Sequence, residues 1–158
     1  MKRVIKYFLM LALLVLVVLQ FIRPEANADG YGSVAAFEAE TAPSEEVKAI
    51  LRANCYDCHS NHTEYPWYSY IAPVSYYLDD HIRHGKGSFN VSKWEHFSAK
   101  KKDHKLEELT EEVEKGTMPL DSYAWIHGEL SEADSETLIQ WATIARLKYA
   151  DELKVSTH

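Results

Sequence analysis

This 158-residue chain has only two cysteines, Cys55 and Cys58. If one cofactor takes both, none is left for a disulfide or a four-thiolate metal site. No segment alternates apolar and polar residues as a half-buried strand would, and no internal repeat is present. Acidic residues outnumber lysine and arginine, 24 to 17. The formal charge is −7, and it falls to −10 once Lys2, Arg3, Lys6, Arg23 and Glu25 at the N-terminal end are removed. An acidic surface argues against nucleic acid and against lying on anionic lipid. It permits a basic protein partner, and it equally describes a solvated face.

The two thiols stand three positions apart in Cys55-Tyr56-Asp57-Cys58-His59. That is C-x-x-C-H, the attachment signature of c-type haem. Each thiol can form a thioether with one vinyl group of the same porphyrin. The adjacent His59 is then held close enough to ligate the iron from one side. A thioredoxin-like redox pair would want a strand before it, and residues 44–53 read as helix. A zinc site would want H-x(3–5)-H partners. His81 and His84 are one residue too close together for that.

Lys2, Arg3 and Lys6 precede an apolar run from Tyr7 to Leu19. Residues Val4 to Ile22 would form a helix of about 28 Å at ~1.5 Å per residue, enough to span a bilayer. The excess of basic residues before the run predicts a cytoplasmic N-terminus and a haem domain in the periplasm. The expected localisation is the bacterial inner membrane, as a single-pass protein. Ala26-Asn27-Ala28 offers the alternative of a cleaved signal peptide and a soluble periplasmic chain. The expected division is therefore an anchor over 1–23, a linker over 24–43 and a helical haem domain over 44–158.

Ser44 is placed to cap a first helix with Glu45 and Glu46 in its first turn. Val47, Ile50 and Leu51 mark its buried face. A second helix is expected from Val74 to His84, ending at Gly85. Asn90 or Ser92 should cap a short one. The cluster Lys100 to Lys105 reads as a solvated connector or a docking patch, ahead of a helix over 106–115 that Gly116 ends. The last helix starts at Ser131 with Asp134 at N3. Leu138, Trp141, Ala142, Ala145 and Tyr149 form its apolar stripe. Residues 62–97 are dense in aromatics, and Trp67, Tyr68, Pro73 and Trp94 are candidates for the wall of a haem pocket. The expected fold is all-α, a cytochrome c-like helical domain around one covalent haem, preceded by a transmembrane helix.

The far side of the iron has several candidates: Met118, and His62, His81, His84, His96, His104, His127 and His158. Met118 is the one methionine beyond the apolar run. It follows a helix-ending glycine and precedes Pro119, so a stiff backbone can aim its thioether. His81, His84 and then His127 are its rivals.

The segments Asn54 to Ser60, Thr63 to Trp67, Ile71 to Ser75, Asp80-His81-Ile82, Gly85-Lys86, Asn90, Trp94 and Gly116 to Leu120 together resemble a bacterial family, the haem-binding domains. These are small membrane-anchored c-type cytochromes. Gln20 to Pro24 also looks like that family's exit from its anchor. The resemblance implies one haem c on Cys55 and Cys58, His59 as proximal ligand and Met118 in the distal position. The expected role is one-electron transfer to and from a redox protein, with no enzymatic reaction, small-molecule substrate or nucleic acid. A haem sensor with an open distal site stays as an alternative. So does a peroxidase-like enzyme using His81 or His84 as acid–base group.

Overall fold

The computed structural model describes residues 1–155. His158 lies outside them. Eight α-helices follow in order: α1 (Lys2–Leu19), α2 (Ala35–Thr41), α3 (Glu45–Asn54), α4 (Tyr56–His59), α5 (Val74–Ser88), α6 (Ala99–Glu114), α7 (Asp121–His127) and α8 (Glu132–Val155). Short 3-10 turns cover Tyr31–Val34, Trp67–Tyr70 and Val91–His96. No strand forms among the described residues; a single bridge joins Ala28 to His62.

The expected membrane anchor is not there. Among the described residues, no helix is long and apolar enough to cross a membrane. α1 takes in Lys2, Arg3 and Lys6 and stops at Leu19, so Gln20 to Ile22 do not extend it. The transmembrane helix and the single-pass inner-membrane placement both fall with this finding. Gln20 instead bonds to the rest of the chain. Its side-chain amide accepts from the Ala72 N–H at 3.0 Å and donates to the Ala72 carbonyl at 3.2 Å. The Tyr76 hydroxyl donates to the Ile22 carbonyl beside it.

The expected linker is also folded. α2 lies within residues 24–43 and buries Phe37 completely, with Val34 just before it. Phe37 meets Trp94 edge-on at 4.9 Å and Trp141 at 5.9 Å. Burying side chains of this size stabilises by roughly 1.5–3 kcal/mol each. The haem-domain boundary at residue 44 is therefore too late, because α2 supplies part of the core.

α3 and α8 begin where the caps predict. Ser44 Oγ accepts from the Val47 N–H at 3.2 Å. Ser131 and Asp134 make a reciprocal pair at 3.1 and 2.8 Å. α8 packs along α6, burying Leu138, Trp141, Ala142 and Tyr149 on one side and Leu106 on the other. Arg146 ties the two helices by bonding Asp103 at 2.8 Å and Glu107 at 2.9 Å. α6 starts earlier than expected, because Ser98 caps it by accepting from Lys101 N–H at 3.3 Å. The Lys100–Lys105 cluster is thus its first turns, not a connector. Lys102 reaches both oxygens of Glu40 at 2.8 Å.

Candidate haem site

The turn between α3 and α4 gathers the motif. The Cys55 N–H still bonds back to Leu51 at 2.9 Å, while its carbonyl accepts from both Cys58 at 3.2 Å and His59 at 2.9 Å. One tight turn therefore brings Cys55, Cys58 and His59 to the wall of one cavity of about 360 Å³. Both thiols are free. Burial pushes Cys55 up to about 12 and Cys58 up to about 11. They are neutral thiols, ill-suited to disulfide exchange, which needs the thiolate.

His59 has a defined tautomer. Its Nδ1 lies 2.9 Å from the Phe89 carbonyl oxygen. A carbonyl only accepts, so Nδ1–H donates and Nε2 keeps its lone pair. Burial, the largest influence, lowers the His59 pKa and keeps the ring neutral, against the opposing pull of the Phe89 and Gly85 carbonyls. A neutral imidazole oriented through its other nitrogen is the form that binds a metal.

Gly85 sits inside α5, not at its end. The helix runs on to Ser88. An ideal Cβ at Gly85 would stand 2.6 Å from the Cys58 carbonyl oxygen. α5 therefore lies directly on α4, and only a residue without a side chain permits it. Sequence reasoning took this glycine for a helix terminator. The following Asn90, already a cap candidate, was the hint that the helix ends later.

A second brace comes from Asn27, which sequence reasoning missed. Its N–H donates to the Tyr65 hydroxyl at 2.9 Å, and its carbonyl accepts from the Thr63 N–H at 2.9 Å. The side-chain amide donates to the Ser60 carbonyl at 3.0 Å and Thr63 Oγ1 at 2.9 Å, and accepts from Lys86. Every polar group of Asn27 thus holds the loop after His59 or α5. The only sequence signal was its place within Ala26-Asn27-Ala28, and that suggested cleavage.

Met118 enters from the C-terminus of α6. Gly116 has φ +66. Its N–H bonds to Val113 at 3.1 Å, and the Thr117 N–H to Glu112 at 3.0 Å. This is the Schellman pattern expected of a C′ glycine. Thr117 Oγ1 donates to the Glu112 carbonyl at 2.9 Å, fixing the loop further. Met118, Pro119 and Leu120 then line the same cavity as the cysteines.

Leu109, Val113, Leu130, Leu138, Phe89 and Tyr123 add to the walls. Tyr123 comes from α7, which the sequence did not reveal. Its hydroxyl oxygen lies 2.8 Å from the Ala53 carbonyl oxygen and 3.0 Å from Asp57 Oδ2, so the two share its one hydrogen. Asp57 lies between the two cysteines, and burial raises its pKa against the bonds from Glu64 and Tyr123.

The four proposed pocket aromatics and prolines lie elsewhere. Trp94 is fully buried in the core against Phe37, Phe89 and Tyr149. Trp67 is 76% exposed. Tyr68 bonds to His127 Nε2 at 2.9 Å. Pro73 caps the start of α5. None of the four lines the cavity. Of the phenylalanine, tyrosine and tryptophan side chains in 62–97, Phe89 lines the cavity. Of the rival histidines, His81 and His84 line the cavity. His127 does not; it stacks on Tyr123 at 4.1 Å. His62 packs edge-on against Tyr31 at 4.5 Å, while His96 and His104 are exposed.

The haem-binding domain family matches residues 14–144 of the chain. The chain belongs to that family. No curated protein and no solved structure matches it. The haem-binding domain assignment can be tested against the cavity itself. Its volume falls in the range of cofactor pockets. Its walls are largely apolar, and it offers the His59 imidazole, the Met118 thioether and two neutral thiols, with His81, His84, Glu108 and Glu112 on the α5 and α6 sides. The thiols, imidazole and thioether fit haem, and among the described residues no three His, Cys, Asp or Glu side chains are grouped to hold a bare metal ion. In this haem-binding domain His59, Met118, His81 and His84 are cavity-lining side chains with an atom that could ligate iron, and Cys55 and Cys58 are the ones that could hold the ring.

Proposed function

We propose that this haem-binding domain is a one-electron carrier, with one haem c attached through Cys55 and Cys58 and ligated by His59 and Met118. The observation that carries this reading is the convergence of all four residues on one largely apolar cavity. When bound, the iron exchanges one electron between its ferric and ferrous states. The chain's part is to fix the ligands, exclude water and leave an edge near the surface. The Phe89 carbonyl orients His59, and the Glu112 anchor holds the Met118 loop. Two protein ligands leave no open position on the iron, so the reading is of a carrier, not an enzyme. Its partner is a redox protein.

A second reading is a haem sensor with a labile distal ligand. Met118 and Pro119 also line a separate cavity of about 210 Å³ between α7 and the start of α8, which gives the loop room to move.

A pyridine haemochrome spectrum of the purified chain tests attachment: a c-type spectrum is expected, lost in Cys55→Ala/Cys58→Ala. Carbon monoxide tests the ligation. Reduced wild type should show no fast Soret shift, and Met118→Ala should bind the gas. Fast, full binding by wild type would replace the carrier with the sensor.

A further inference from the structure

His81 and His84 line the cavity but have no part in that scheme. They stand on α5 with Ser88 one turn beyond. Their Nδ1 atoms lie 2.8 Å from the Tyr77 carbonyl oxygen and 2.7 Å from that of Asp80. In each ring Nδ1 therefore carries the hydrogen and donates it. The Nε2 atom remains. In the neutral ring it can only accept. Only the protonated ring can donate from it.

The facing wall is different. α6 presents Glu108 and Glu112 to the same cavity. Lys105 and His104 approach Glu108, and Lys115 approaches Glu112. The α7 wall offers the Tyr123 hydroxyl, already given to Ala53 and Asp57. On α5 itself Asp80 Oδ2 lies 3.4 Å from His84 Nδ1, and Arg83 is held by Asp79 and Asp80.

A haem fixed by its vinyl groups at Cys55 and Cys58 carries two propionate carboxylates on its opposite edge. The α6 carboxylates, already approached by Lys105, His104 and Lys115, have no hydrogen to donate to them. Among the cavity-lining residues of α5, the two imidazoles are the groups that can become cationic. We propose that His81 and His84 are the propionate-binding pair, taking up a proton to do so. This rests on the haem c reading above. Its consequence is a pH-dependent reduction potential. Cationic imidazoles near the haem favour the added electron, so the potential is highest when they are protonated. It falls as pH rises and the pair gives up its protons.

The test is an optical redox titration of the haem-loaded full chain at a series of pH values. Wild type should show a fall that changes the oxidised-to-reduced ratio by roughly tenfold, equivalent to about 59 mV for one electron. His81→Gln/His84→Gln should lose most of that fall while keeping the low-spin spectrum. The single variants, each losing part, cover the case of a double variant that does not fold. An unchanged slope in the variants overturns the proposal. So does a low-spin spectrum in Met118→Ala that His81→Gln/His84→Gln abolishes, because the imidazoles are then iron ligands. A chain without thioether-bound haem fails the haem c reading as well, whereas a haem-loaded chain with unchanged slopes fails this proposal alone.

Discussion

Gly85 and Cys58 touch through bare backbone: a methyl group on Gly85 would stand 2.6 Å from the Cys58 carbonyl oxygen. The neighbour is main chain, so it cannot rotate away. Gly85→Ala must push α5 off α4, and overpacking of this kind costs about 1–3 kcal/mol. The carbonyl of Phe89, just past the same helix, moves with it and so disturbs His59 Nδ1 at 2.9 Å. Both a lower Tm and less haem per chain are expected, the latter from a haemochrome assay normalised to protein. A variant with wild-type melting would mean that α5 has slack at this contact.

Asn27 makes its bonds to Ser60, Thr63, Tyr65 and Lys86 from a part of the chain outside the helical core. Asn27→Ala keeps the backbone bonds and removes the side-chain ones. Leaving partly buried partners unsatisfied costs about 1–3 kcal/mol. At ~2–4 °C per kcal/mol for a chain of this size, the melting temperature should drop by several degrees. Thermal denaturation followed by circular dichroism reads this directly. An unchanged midpoint would show that water replaces the amide without loss.

Local signals were the legible part of this chain. Ser44, Ser131 with Asp134, and Gly116 each declare a helix end within four residues, and each acts as expected. The C-x-x-C-H turn and Met118 also reach one cavity. What escaped was set by distant partners. α2 is seven residues flanked by Gly30, Gly32 and Pro43, too short to announce itself; Phe37 is buried because Trp94 and Trp141 stand around it. Gly85 looks like a terminator until α4 is packed against it. Val4 to Ile22 reads as a bilayer span with Lys6 near one end, yet α1 takes in Lys2 and Arg3 as well and stops at Leu19. Trp94 was placed in a haem wall on composition, but composition cannot tell a cofactor wall from a core.

Glu40 links stability to pH. Burial alone would raise its pKa, but bonds from Lys102 and Tyr149 outweigh that and lower it below 4.5. Lys102 is 2.8 Å from both carboxylate oxygens and Tyr149 Oη 3.0 Å from one. A carboxyl depressed in the fold binds its proton more readily when unfolded. Its contribution is complete above 4.5 and is lost as pH falls through the lowered folded value. Glu40→Gln should therefore melt lower than wild type at neutral pH, by ~2–4 °C for a loss of about 1 kcal/mol. The two should converge in acid. Melting curves at pH 7 and at successively lower pH check it; a gap that persists in acid would assign the loss to packing.

Gly116 separates backbone conformation from crowding at the Met118 loop. Its φ of +66 is left-handed, yet a Cβ there would meet nothing within 4 Å. Gly116→Ala consequently costs conformation alone, about 1–2 kcal/mol. Asparagine tolerates this region better than alanine. If the turn holds Met118 in place, Gly116→Ala should loosen it, and Gly116→Asn should restore most of the wild-type behaviour. The readout is the sulfur-to-iron charge-transfer band of the oxidised, haem-loaded chain together with the rate of carbon monoxide binding after reduction. A weaker band and faster binding are expected in the alanine variant. Equal behaviour of the alanine and asparagine variants would locate the control elsewhere, in the Thr117 hydroxyl that donates to the Glu112 carbonyl at 2.9 Å. Thr117→Val would then reproduce the loosened state while leaving Gly116 intact.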